Sequence, residues 1–210
     1  PSEVRVPVEP AAARTTPRPR MQTLPDAAAP PAGSALVSPE PPPAVRPALS
    51  AADAGPLIEA AFSRDAVGYA LLDYLRSAYG VGLVCLVRDD MVLGWKGFAP
   101  GVPDAQLEAL ALPLGAPSMF RVAVTSRSVF RGQPPADGAA IHTRFYKLLG
   151  APPPREVVVA PVVLASRVVQ LVYGHGLGGG ALPATGPADL AHLTDLASQT
   201  YRRLLRASRA

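Results

Sequence analysis

The sequence predicts an α+β domain, an antiparallel sheet flanked by helices, behind a disordered Pro-rich N-terminal segment. Three observations carry this expectation. Apolar residues recur at helical 3–4-residue spacing in several separate segments. Two pairs of β-branched runs, one at 81–98 and one at 157–173, are each broken by a short polar step, the mark of a hairpin. The prolines are uneven: 13 of the 26 fall in residues 1–50, among Ala, Arg, Thr and Ser with few large aliphatics to bury.

A segment of that composition cannot offset its ordering entropy, so residues 1–52 are expected to form a disordered, partly polyproline-II linker and 53–210 the folded domain. The P-x-x-P spacing of "PEPPPAVRP" (39–47) is what such a composition produces by itself. The chain starts at Pro1 without a methionine, which suggests a piece of a longer protein.

Charge placement matters more than its sum. Lys plus Arg number 20 and Asp plus Glu 16, and four of the basic residues are Arg202, Arg203, Arg206 and Arg209; without them the chain is formally neutral. A nucleic-acid binder carries its basic stripe on a folded face, whereas cations at a helix C-terminus complement the helix dipole. No nucleic acid is therefore expected as a partner. The apolar stretch 154–180 is interrupted by Pro161, Arg167 and Gln170, so membrane insertion is not expected either. The lone Cys85 excludes an internal disulfide, and no secretory signal opens the chain; both suit a cytoplasmic setting.

The elements follow in order. "PLIEAAF" (56–62) suggests a short helix, and "SRDAVGYALLDYLRSAYG" (63–80) a longer amphipathic one, with Ser63 as N-cap and Gly80 past its end. A hairpin over 81–98 turns at Arg88-Asp89-Asp90. "PDAQLEALAL" reads as a short helix and "LPLG" as a short strand. "PSMFRVAVTSRS" reads as a helix capped by Ser118, "VFRG" as a strand, and "DGAAIHTRFYKLLG" as a helix closed by Gly150. Strands Val157–Ala165 and Val168–Tyr173, turning at Ser166-Arg167, are apolar on both faces and imply cover on both sides. A final helix spans about Pro187 to Ser208.

This order resembles the GAF superfamily of sensory domains over roughly residues 56–208. It is carried by the "GLVCLVRDDMVLGWKGFAPG" hairpin, the "LPLGAPSMFRVAVTSRSVFRG" strand-helix-strand unit, and "EVVVAPVVLASRVVQLVYG" leading into a terminal helix. The last strand ends Tyr173-Gly174-His175 where such sequences often carry Tyr-Ala-Asp, and the Asn-Lys-Phe-Asp-Glu signature of cyclic-nucleotide binders is absent. The resemblance implies a regulatory or sensor module of a larger bacterial protein, with a pocket over the sheet face under the helices at 118–127 and 139–149. Candidate pocket residues are Cys85, Trp95, Phe98, Ser118, Phe120, Tyr173 and His175. It also implies a dimer through the first and last helices, or a separate protein partner, with an unknown small molecule as the alternative.

Catalytic signals are lacking. "GHGLGG" (174–179) matches G-x-G-x-x-G, but no helix opens at it and no strand follows, so a flexible crossover loop is expected. His142 and His192, expected at exposed or edge positions of helices, and His175 on the last strand form no ligand cluster, so neither metal nor cofactor is expected. Cys85 suits a buried hydrophobe in mid-strand. A hydrolase or transferase would need a nucleophile–base pair that the sequence does not display.

Overall fold

The computed structural model describes residues 48–208. The expected linker up to residue 47, its P-x-x-P run and Arg209 lie outside the described residues.

Helix α1 (Ala51–Ala60) opens with a capping box: Ser50 Oγ accepts from the Asp53 N–H at 3.2 Å and Asp53 answers to the Ser50 N–H at 3.3 Å. It starts five residues before the expected segment and runs through Pro56, which leaves the Ala52 carbonyl without its helical donor. Helix α2 (Arg64–Ala78) is capped by Ser63 as expected. Gly80 does not close it in the left-handed conformation. A Cβ at Gly80 would sit 2.2 Å from the Leu177 backbone nitrogen, so the glycine admits a crossing chain.

Strands β1 (Val81–Arg88) and β2 (Met91–Phe98) turn through Asp89 and Asp90, both at positive φ (49° and 58°), a geometry that matches the right-handed twist of the strands. Helix α3 (Asp104–Glu108), strand β3 (Ala111–Pro113), helix α4 (Met119–Ser126) and strand β4 (Phe130–Gly132) follow. Helix α5 (Ala139–Leu148) ends in a Schellman motif at Gly150, φ 61°, with Gly150 N–H on the Lys147 carbonyl and Ala151 N–H on that of Tyr146.

Strands β5 (Val157–Leu164) and β6 (Arg167–His175) make the second hairpin. Its turn is Ala165-Ser166 (φ 48° and 66°), one residue before the expected Ser166-Arg167. Arg167 belongs to the strand and pairs with Leu164. Helix α6 (Gly186–Ala207) ends the described chain.

All strands pair antiparallel in the order β3-β2-β1-β6-β5-β4, so the two hairpins meet through β1 and β6 in the centre. Strand β4 covers β5 only from Val157 to Val159. Beyond it Pro161 has no N–H, and Val163 donates its own to Ser198 Oγ of α6 at 3.0 Å.

The central strands are apolar on both faces because both faces are covered. Helices α1, α2 and α6 pack one side, where Ile58, Leu71, Leu75, Leu190, Leu193 and Ala197 meet Val84, Val158, Ala160, Val162 and Val172. Helices α3, α4 and α5 pack the other, where Leu107, Met119, Phe120, Phe145 and Leu149 meet Leu83, Cys85, Val157, Val159, Leu171 and Tyr173. No helix among the described residues is long and apolar enough to cross a membrane.

Candidate functional site

The candidate site is the sheet face beneath α4 and α5. Alternation along β1 and β6 points Cys85, Leu171 and Tyr173 into it, and His175 ends β6 at its rim. Phe120 descends from α4, and Phe145 and Tyr146 from α5. Of the seven candidate residues, Cys85, Ser118, Phe120, Tyr173 and His175 gather on this side.

Trp95 and Phe98 do not. They pack on the opposite face, where Trp95 lies against Gly68 of α2 and Phe98 against Gly82 and Leu75. Trp95 follows Gly94, the partner of Cys85, and faces away by alternation alone; for Phe98 the cause is a bulge, in which Val84 pairs with Lys96 and Cys85 with Gly94, leaving Trp95 as the extra residue. One inserted residue inverts the alternation of β2, so Val92 faces α3 and α4 while Phe98 faces α2.

The space expected to be a pocket is filled with rings. Phe145 packs edge-on to Phe120 and to Tyr173, at centroid distances of 5.1 and 5.0 Å. Tyr146 lies 5.4 Å from Phe145, and His175 lies 5.5 Å from Tyr173 and 6.4 Å from Tyr146. These are the edge-to-face and tilted arrangements that aromatic quadrupoles favour. Phe120, Phe145, Tyr173 and His175 are each at most 1 % exposed.

Polar atoms in the cluster are few and specific. The Tyr173 hydroxyl and His175 Nδ1 share a 2.7 Å hydrogen bond, while the buried His175 Nε2 has no partner among the described residues. Burial holds the His175 imidazole down to about 4, so it is neutral at pH 7. Burial drives the Tyr173 phenol well above its usual range and the Cys85 thiol up to about 12. A thiol so poorly ionised and fully buried is not a nucleophile.

Ser118 caps α4 by accepting from the Arg121 N–H at 3.1 Å. His142 departs from expectation: it is buried, and its Nε2 accepts from the Met119 N–H at 3.1 Å, so an imidazole from α5 caps α4 beside Ser118. Burial lowers its pKa, which keeps the nitrogen free to accept. The sequence carried a signal for this: His142 lies on the same stripe as Phe145 and Tyr146. His192 is exposed, as expected. Among the described residues no group of three His, Cys, Asp or Glu side chains is arranged to hold a metal.

No protein-family model matches the chain, and neither does any curated protein. Solved structures do. The GAF domain of an Acinetobacter phosphoenolpyruvate-protein phosphotransferase superposes with a TM-score of 0.55 at 13 % identity, over 74 % of this chain and 92 % of that one. The corresponding domain from Coxiella burnetii gives 0.57 at 12 %, over 76 % and 95 %. A free methionine-R-sulfoxide reductase from Neisseria meningitidis, in complex with its substrate, gives 0.55 at 11 %, over 75 % and 89 %. At these identities the likeness is one of fold, and the fold is that of GAF domains.

Proposed function

We propose that this chain is a non-enzymatic regulatory module of a larger bacterial protein, acting through protein–protein contact. The observation that carries this reading is the closed aromatic face: Phe120, Phe145, Tyr146, Tyr173 and His175 occupy the space a ligand would need. The burial of Cys85 and the capping role of Ser118 Oγ accord with the non-catalytic part. Exposed apolar side chains on the helical side support the contact part. Leu57 on α1, Phe62 in the α1–α2 link, Tyr69 on α2 and Leu205 on α6 are 52, 86, 55 and 44 % exposed. Self-association through α2 and α6, the helices with Leu and Tyr stripes, is the form of contact this favours. A reducing cytoplasmic setting belongs to the same reading.

A small-molecule sensor is the second reading, favoured by one atom: the unpartnered Nε2 of His175. Native mass spectrometry of the full chain, purified without added ligand over a concentration series, separates the two. Clean chain mass with a concentration-dependent dimer is the expected result. A retained adduct of a few hundred daltons would replace contact by sensing, and a clean monomer at every concentration would replace self-association by a different protein partner.

A further inference from the structure

A groove of about 870 Å³ runs between α6, the β5–β6 turn and the C-terminal end of α4, away from the aromatic face. Its floor is apolar, from Val129, Pro161, Val163 and Leu164. Its walls carry three arginines, Arg127, Arg202 and Arg206, against one carboxylate, Asp195.

The cations are gathered at one end. The bond from Val163 N–H to Ser198 Oγ sets β5 against α6, so the hairpin tip lies beside the α6 residues that follow Ser198. Arg202 and Arg206 are there, one helical turn apart on the same face. Arg127 arrives from the C-cap of α4 and donates from Nη1 to the Ser166 carbonyl at the tip, 3.3 Å. Arg202 is tethered through Nε to the Ser198 carbonyl at 3.3 Å and remains exposed.

None of the three forms an ion pair among the described residues. Among the described residues the ion pairs are Arg88–Asp89 and Arg131–Glu156, and Asp195 takes its hydrogen bond from Gln199. Two of the arginines complement the carbonyl end of α6. Arg127 belongs to another helix, so a helix-end preference does not account for the cluster.

We propose that this groove docks an acidic, partly apolar, extended segment of a protein partner. The proposal rests on the protein-contact reading above and names the chemistry of the partner. Length favours a segment over a lone anion. The α6 lining runs from Ala191 to Arg206, which at about 1.5 Å per residue is roughly 22 Å. An extended strand of about seven residues covers that distance. Carboxylates of the segment would meet the guanidiniums at the tip, and its apolar side chains would lie on Val163 and Leu164. Asp195 at the far end disfavours a second acidic group there and so sets the direction of the segment.

The test is selection from a random phage-displayed peptide library on the full chain, followed by fluorescence anisotropy of the selected peptides. Selected sequences are expected to be rich in Asp and Glu interleaved with apolar residues. Their affinity should fall at least about tenfold in the R202E/R206E variant and severalfold between about 50 and 300 mM salt. Both substituted side chains are exposed, and an unchanged circular dichroism spectrum checks the fold. Neutral or basic selected peptides, no selection at all, or acidic peptides indifferent to both charge reversal and salt would each overturn the proposal. So would binding of inorganic phosphate at the arginines without acidic peptides. These outcomes leave the dimer reading intact, whereas an internal adduct in the mass spectrum would remove the contact reading without touching the groove.

Discussion

The two faces of the sheet are built from different materials. The face under α1, α2 and α6 is an aliphatic layer of Leu, Val, Ile and Ala, and its buried polar groups sit at the margins: Tyr74 donates to Asp189 at 3.0 Å, and Tyr201 to Gln170 Oε1 at 2.9 Å. The face under α3, α4 and α5 is aromatic at its centre, and two imidazoles are buried with it. Branched aliphatics close a surface by volume alone and tolerate exchange of similar shapes. Interlocked rings close it by geometry, so each is harder to replace. The first face is thus a foundation. The second is a core closed by interlocked rings.

The sharpest way to break this contrast is Phe145→Ala. Phe145 touches Phe120, Tyr146 and Tyr173, and its truncation should lower unfolding stability by about 3–5 kcal/mol in urea denaturation. The vacated space should then admit indole, raising the melting temperature of the variant and not of the parent. A cost under about 1 kcal/mol, or no indole effect, would mean the rings do not fill the face.

Acid should discriminate next. The native state resists protonating His175, held down to about 4, whereas the unfolded imidazole titrates near about 6.5. Stability present above about pH 6.5 is therefore lost as pH falls towards 4, by up to about 3 kcal/mol from this one group. Urea melts at pH 7 and 4.5 should show a smaller fall for His175→Gln, which keeps an acceptor for Tyr173. Equal falls for parent and variant would place the acid sensitivity elsewhere. His142 adds in the same direction, because a protonated ring cannot accept from Met119.

The smallest effect belongs to the aliphatic face. Tyr201→Phe removes the donor to Gln170, whose buried Nε2 has no partner among the described residues, and should cost about 1–2 kcal/mol with little change between pH 7 and 4.5. A pH-dependent loss there would erase the chemical distinction between the faces.

Most elements were legible in the sequence because helical periodicity, serine caps and paired β-runs are local signals. Ser63 and Ser118 cap the helices assigned to them, and both hairpins form. What escaped depends on partners far along the chain. The bulge at Trp95 has no local marker, and it sends Phe98 to the opposite face, where Trp95 already points by alternation. The Ala165-Ser166 turn lacks the Asn-Gly or Asp-Gly pair that would have fixed its register. His142 caps a helix 23 residues earlier, a contact that only the packed α4–α5 pair creates. The α1 start was hidden by Pro56, which reads as a first-turn residue and is in fact past the capping box. The cationic groove could not be read at all, since Arg127 and Arg202 converge only when β5 docks on α6.

The short reach of β4 exposes the sheet to a hazard that the rest of β5 answers. An open edge beyond Val159 would invite strands from other molecules and seed fibrous growth. Pro161 offers no donor, and Ser198 has claimed the one at Val163, so an arriving strand finds the alternate positions of this border silent. The same hydroxyl that seats α6 therefore also withdraws a donor from this open border, and Ser198→Ala is expected to raise light scattering as the protein is concentrated.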